Sequence, residues 1–139
     1  MLDVTAPSGD LLAASRVIFS LNQSASDGCV SLSLTPDGGT VICGTEYDGH
    51  GDCARLGPAF IAYSVQTGKA VRVLYRDQQA CQGDWVAVPL WAASSAEHVI
   101  GLLGHTVTPN AAEVGLVAGG RFTKLPPAAQ SPDLYSAAF

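Results

Sequence analysis

The chain has 139 residues, of which 47% are hydrophobic and only 14% are charged, and its formal net charge is −5. This composition excludes a disordered chain, because disorder requires low hydrophobicity and high charge. The seven Lys and Arg residues are scattered and outnumbered by twelve acids, which argues against a nucleic-acid partner. The longest charge-free apolar run, residues 86–93, is too short to cross a membrane.

Strand signals dominate the chain, and no window shows the apolar spacing of a long amphipathic helix. In chain order the predicted strands are 1–4, 16–21, 30–34, 40–45, 60–65, 71–75, 85–90, 98–103, 113–117 and 122–125. Turns rich in glycine and small polar residues separate many of them. Short strands at regular spacing predict an all-β fold, either a sandwich, a barrel or a propeller.

A repeat of about 52 residues, which holds four predicted strands, favours the propeller over the sandwich and the barrel. The turn at Gly68-Lys69 recurs 52 residues later at Gly120-Arg121, and each turn follows one predicted strand and precedes another. A Cys- and Gly-containing segment precedes both strand 30–34 and strand 85–90. Four antiparallel strands per repeat are typical of a propeller blade.

The hairpin between residues 30 and 45 is the best-defined local prediction. Pro36 fixes φ at the second turn position, and Gly38 tolerates a positive φ. The turn predicts that Leu34 lies opposite Val41 and that residues 32 and 43 are paired. The other face of the hairpin carries small residues such as Ser31 and Gly44, which suits close cover by a neighbouring blade.

Residues 32–45, LSLTPDGGTVICGT, resemble the hairpin of strands A and B in WD40-like propellers. Residues 61–69, IAYSVQTGK, resemble strand C and the turn after it, although Tyr63-Ser64 stands where that family has Trp-Asp. No Gly-His dipeptide precedes either A strand. The sequence is therefore most similar to the looser bacterial WD40-like and YVTN-like propellers.

This resemblance implies a partial β-propeller made of four-stranded antiparallel blades. Residues 1–23 would be strands C and D of an incomplete blade, 24–77 a complete blade, 78–127 a complete but degenerate blade, and 128–139 a tail that could close the ring. Two and a half blades do not close a ring. We therefore expect a C-terminal fragment of a larger propeller, with a self-assembling partial ring or another all-β fold as the alternatives.

Loops that connect strands D to A and B to C share one rim of a propeller. The candidate binding residues on that rim are Asp27, Tyr47, Asp48, His50, Asp52, Asp77 and Asp84. The alternation of Asp, Gly and His in residues 47–53 could bind a hard cation, but a polar turning loop explains it better. No catalytic triad, metal site or cofactor motif is predicted.

Four cysteines, at 29, 43, 53 and 81, allow three disulfide connectivities, and free buried thiols are the alternative. On the propeller hypothesis Cys53 and Cys81 lie on the same rim in adjacent blades, which makes them the candidate disulfide. Cys29 lies on that rim too and competes for either partner. Cys43 is predicted to be a core thiol. Trp85 and Trp91, six positions apart, are predicted to share one side of a strand and to lie in the core.

The resemblance implies a non-enzymatic propeller module that presents its rim loops to a protein or peptide partner. Its apolar faces would contact the remaining blades of the same propeller or form a homo-oligomer. The alternative is a piece of a propeller hydrolase or lactonase-like enzyme with a metal in the rim or channel. Propellers of this kind indicate an extracytoplasmic or cell-envelope location in a bacterium, whereas reduced cysteines would indicate the cytoplasm.

Overall fold

The computed structural model describes residues 28–79, 83–105 and 112–126. These residues form β1 (Cys29–Leu34), β2 (Thr40–Tyr47), α1 (Cys53–Leu56), β3 (Ala59–Ser64), β4 (Ala70–Arg76), β5 (Trp85–Ala92), β6 (His98–His105), β7 (Glu113–Ala118) and β8 (Arg121–Lys124). Every strand pair is antiparallel, so the predicted all-β fold is confirmed. The predicted strands 1–4 and 16–21 and the tail 128–139 lie outside the described residues.

The strands form two four-stranded meanders joined in one curled sheet. The first meander contains β1 to β4 in sequence order, and the second contains β5 to β8. The join lies at the end of β2, where Glu46 pairs with Val86 and Tyr47 pairs with Trp85. The first meander lies within residues 24–77 and the second within 78–127, the ranges predicted for two complete blades.

The two meanders repeat the same register. Thr40 pairs with Ser64 at the start of the β2–β3 ladder, and His98 pairs with Ala118 at the start of the β6–β7 ladder. Neither ladder then has a register shift: the β2–β3 ladder continues for four further pairs and the β6–β7 ladder for five. Alternating apolar positions set this register, because a slip of one residue would turn every buried side chain to the opposite face.

The first turn of each meander also has the same geometry. Thr35 N–H donates to the Thr40 carbonyl at 2.9 Å, and Ala93 N–H donates to the His98 carbonyl at the same distance. Four residues lie between the paired ends in both turns, and the third of them has a positive φ, 70° at Gly38 and 53° at Ala96. The predicted role of Gly38 and the predicted pairing of Leu34 with Val41 are confirmed.

Polar side chains stabilise the turn after β1. The buried Thr35 hydroxyl lies 2.7 Å from Asp37 Oδ1 and accepts a hydrogen bond from Thr40 N–H. Asp37 Oδ1 also accepts the Gly39 N–H at 3.0 Å. The Thr35 hydroxyl and then the Gly39 N–H lower the pKa of the Asp37 carboxyl below its ordinary value.

The meanders pack face to face through what we call their inner faces. Gly44 on β2 lies so close to the Ala87 carbonyl on β5 that a Cβ there would overlap it. Ser31 Oγ donates to the same carbonyl at 3.0 Å. The small residues predicted on this side of the hairpin therefore do permit close cover, and the covering element is β5.

The larger of the two buried clusters in the described residues lies between these inner faces. The Phe60 ring covers Gly101 on β6, and the Tyr75 and Phe122 rings meet with their centroids 5.8 Å apart. The buried members of the core are Ile42, Phe60, Ala62, Leu74, Ala87, Ala92, Ala96, Val99, Leu103 and Val117. Side chains from both meanders contribute, so the two meanders share one core.

The prediction that Trp91 belongs to the core is wrong. A register shift between Pro89 and Trp91 inserts an extra residue into β5. This bulge moves Trp91 to the side opposite Trp85, where it pairs with Ile100 and is 49% exposed.

The prediction that Cys43 is a core thiol is also wrong. Cys43 is fully buried, but it forms a disulfide with Cys29, and the two Cα atoms are 5.5 Å apart. A register shift between Cys29 and Ser31 pairs Cys29 with Thr45, two residues along β2 from Cys43. Cys29 and Cys43 can therefore meet across the hairpin.

The two adjacent glycines of the first turn provide a matched test of its geometry. Gly38→Ala should lower the free energy of unfolding by about 1 kcal/mol, because alanine is strained at a positive φ although space for its Cβ is open. Gly39→Ala, without a positive φ and with ordinary contacts for a Cβ, should leave stability almost unchanged. Urea denaturation measures both, and equal losses would contradict the turn geometry.

The disulfide closes a hairpin loop of sequence separation 14. The double variant Cys29→Ala/Cys43→Ala should lower the free energy of unfolding by about 3 kcal/mol, because the unfolded chain gains freedom. Peptide mapping of the native protein without reduction should recover these two cysteines in one linked pair. Recovery of either residue as a free thiol would contradict the structure.

Candidate functional site

The loops predicted to form a binding rim do meet at one end of the sheet. The β2–β3 loop brings Gly49 beside Gly83, and Gly83 in turn lies against the imidazole of His105 at the end of β6. The Cys53 sulfur lies 3.5 Å from the Gln78 carbonyl oxygen. We call residues 47–58, 77–79, 83–85 and 105 the rim.

Local hydrogen bonds give the rim loop after β2 a defined shape. His50 N–H donates to Asp48 Oδ1 at 3.1 Å, and the glycines on both sides of His50 have positive φ values. The Tyr47 side chain is only 4% exposed, and its hydroxyl donates to the Gly51 carbonyl at 3.2 Å. Tyr47 therefore supports the loop from below, whereas Asp48, His50 and Asp52 are exposed.

The helical turn α1 ties this loop to the end of β4. The Asp52 carbonyl accepts the Leu56 N–H at 2.7 Å. Arg76 Nη1 donates to the Gly57 carbonyl at 2.7 Å, and Asp77 N–H donates to the Pro58 carbonyl at 2.9 Å. The loops that precede and follow the β3–β4 hairpin are thus held together by one side-chain and one backbone hydrogen bond.

Two aromatic rings support the side of the rim that includes Gly83 and Asp84. Trp85 at the start of β5 and His105 at the end of β6 make an edge-to-face contact with centroids 5.3 Å apart. Trp85 also pairs with Tyr47 in the join between the meanders. The exposed Asp84 therefore lies between Gly83 and the packed start of β5.

The described rim has an acidic character. Its carboxylates are Asp48, Asp52, Asp77 and Asp84, its one arginine is Arg55, and Arg76 lies just outside it at the end of β4. Beneath the rim, burial raises the pKa of the Tyr75 phenol, and the negative charges of Asp77 and Glu113 raise it further. The field at this end of the sheet therefore favours cationic groups.

Two of the predicted site residues, Asp27 and Cys81, lie outside the described residues. Cys53 is disulfide-bonded, but because Cys81 is not described, the Cys53–Cys81 pair stays a prediction. Within residues 28–79, 83–105 and 112–126, no three His, Cys, Asp or Glu side chains converge as metal ligands.

Sequence reasoning missed a second concave feature, a cavity of about 400 Å³ between β4 and the turns of the second meander. Its lining includes Arg72, Leu74, Glu97, His98 and Gly120. Arg72 Nη2 donates to the Ala96 carbonyl at 3.2 Å across the two meanders. No local signal predicts this cavity, because it depends on how the meanders stack.

Comparisons with protein-family models, with curated proteins and with solved structures give no match. In the described part of the chain no helix has the length and apolar character needed to span a membrane. What the structure defines is an all-β protein of two equivalent antiparallel meanders, with an acidic rim at one end.

Two arginines on β4 provide a matched test of how the rim is held. Arg76→Ala should speed amide hydrogen exchange at Gly57 and Asp77 by about tenfold, because the bond to the Gly57 carbonyl is lost. Arg72→Ala removes a similar bond away from the rim, to the Ala96 carbonyl, and should leave these amides unchanged. Exchange followed by mass spectrometry or NMR measures both, and equal effects would contradict the assigned contacts.

Proposed function

We propose that the chain is part of a β-propeller of the bacterial WD40-like, YVTN-like kind, and that its rim binds a protein or peptide partner without catalysis. The observation that carries the proposal is the repeat itself. Two four-stranded meanders have the same β2–β3 and β6–β7 register and the same first turn, and they stack face to face.

The order of contacts between the meanders supports their interpretation as neighbouring blades. The first strand of one meander contacts the first strand of the other, since β1 lies against β5. The last strand of the first meander, β4, contacts β7 and β8 at the end of the second. Blades that radiate from a common axis have this arrangement, with first strands innermost and last strands outermost.

The rim offers a partner a surface that is both shaped and charged. The Arg76 guanidinium donates to the Gly57 carbonyl and the Asp77 N–H donates to the Pro58 carbonyl, which holds the loops in place, so little conformational freedom is lost on binding. Asp48 and His50 project from it as exposed side chains. An acidic surface of this kind favours a partner segment that carries Lys or Arg.

The disulfide between Cys29 and Cys43 supports an oxidising location. Such bonds persist outside the cytoplasm and are rare within it. An extracytoplasmic or cell-envelope location is therefore part of the proposal.

The proposal can be tested with a random peptide library displayed against the oxidised protein. Selected peptides should be enriched in basic residues, and Asp48→Lys should weaken their binding about tenfold or more by calorimetry. Gln66→Lys, which adds the same charge in the exposed β3–β4 turn away from the rim, is the matched control and should bind as wild type. Failure to select any peptide, or equal binding by Asp48→Lys, would contradict rim binding.

A further inference from the structure

The cavity between the two meanders lies toward the end of the sheet opposite the rim. It has a volume of about 400 Å³ and is lined by the middle of β4, by the β5–β6 turn and by the β7–β8 turn. A volume of this size is typical of cavities that hold small molecules. Arg72, Glu97 and the two glycines of the β7–β8 turn are exposed, so the cavity is open to solvent.

Two side chains of opposite charge line this cavity without neutralising each other. Arg72 lies on β4, and Glu97 lies in the β5–β6 turn. Arg72 Nη2 donates to the Ala96 carbonyl at 3.2 Å, which holds the guanidinium beside residue 97. Within the described residues Arg72 and Glu97 form no ion pair with each other. Both charges are therefore available to a ligand, and the guanidinium has further N–H donors to offer.

The β7–β8 turn adds backbone donors to the same cavity. Gly119 and Gly120 have positive φ values of 57° and 75°, and the space where a Cβ would stand is open at both. Among the hydrogen bonds of the described residues, none has the N–H of either glycine as its donor. Successive free N–H groups in a turn bind anions. Together with Arg72 they suit this part of the cavity to a carboxylate.

The inner end of the cavity is apolar. Leu74 and Val117 line it there, and both belong to the buried cluster that the two meanders share. An aliphatic group that reaches these two side chains would be removed from water. The cavity thus combines a cationic part, an acidic part and an apolar inner end.

We propose that this cavity binds a free α-amino acid with an aliphatic side chain. Arg72 and the β7–β8 turn hold its carboxylate, and Glu97 holds its ammonium group. Its side chain contacts Leu74 and Val117. The site is independent of rim binding, because it lies away from the rim loops.

The charges distinguish this ligand from its competitors. A peptide terminus carries only one of the two main-chain charges, and an internal peptide segment carries neither, whereas a free amino acid carries both on one carbon atom. A dianion such as phosphate is disfavoured, because the Glu97 carboxylate would repel it.

Titration of the oxidised chain with L-leucine, followed by NMR, tests the proposal. L-leucine should bind saturably with a dissociation constant of about 1 mM or lower, and it should shift the amide resonances of Gly119 and Gly120. N-acetyl-L-leucine lacks the ammonium group and L-leucinamide lacks the carboxylate, so each should bind about tenfold more weakly. Glycine, which has no side chain, should also bind more weakly than L-leucine.

Two neutral variants assign each ligand charge to its partner. Glu97→Gln should weaken L-leucine binding about tenfold but leave N-acetyl-L-leucine binding unchanged, because that ligand has no ammonium group. Arg72→Gln should weaken L-leucine binding but leave L-leucinamide binding unchanged. Glu46→Gln and Lys69→Gln remove the same charges outside the cavity lining, and both should bind L-leucine as wild type.

Circular dichroism should show that both cavity variants are folded, since the two side chains are exposed. If loss of the bond to Ala96 unfolds Arg72→Gln, the Glu97→Gln comparison decides alone, because the described residues give the Glu97 side chain no hydrogen bond to lose. No saturable binding of L-leucine up to about 10 mM, or equal binding of L-leucine and both derivatives, would overturn the proposal. Resonance shifts confined to the rim would contradict it as well.

Discussion

The close approach of β2 to β5 is the contact on which the rest of the structure depends. Gly44 has no side chain, so the Ala87 carbonyl can lie directly against it, and Ser31 Oγ satisfies that carbonyl with a hydrogen bond. A buried carbonyl without this donor would be costly. The small residue and the hydroxyl together set the distance between the two meanders, and the Phe60 ring over Gly101 fills the space that results.

This stacking decides what lies at each end and on each side of the sheet. Just beyond Gly44, β2 pairs with β5 through Tyr47 and Trp85, which brings the β2–β3 loop beside the segment that precedes β5. The acidic rim is therefore a consequence of the join between the meanders. One face of each meander forms the shared core, and on the opposite face of the first meander Cys43, Ala59 and Ile61 form a second buried cluster. The stacking of the two meanders thus gives the molecule both its shared core and its candidate binding surface.

Local chemistry predicted much of this fold. Alternation in residues 30–34 and the turn residues Pro36 and Gly38 were enough to predict the hairpin register, since side-chain period and turn type fix it together. Features that depend on irregular backbone were not predictable. The bulge before Trp91 reversed the side on which that ring lies, and the shift after Cys29 brought its sulfur to Cys43.

The rim shows the same division between local and long-range information. The Asp and Gly residues around His50 predicted a turning loop, and the structure contains one. The burial of Tyr47 beneath it, the anchoring by Arg76 and the cavity beside Arg72 join residues far apart in sequence, so no local pattern could reveal them. The most direct test of the stacking is a nuclear Overhauser measurement between the Phe60 ring protons and the Gly101 α protons. Strong cross-peaks are predicted, and their absence in a protein whose two meanders are both formed would contradict the account.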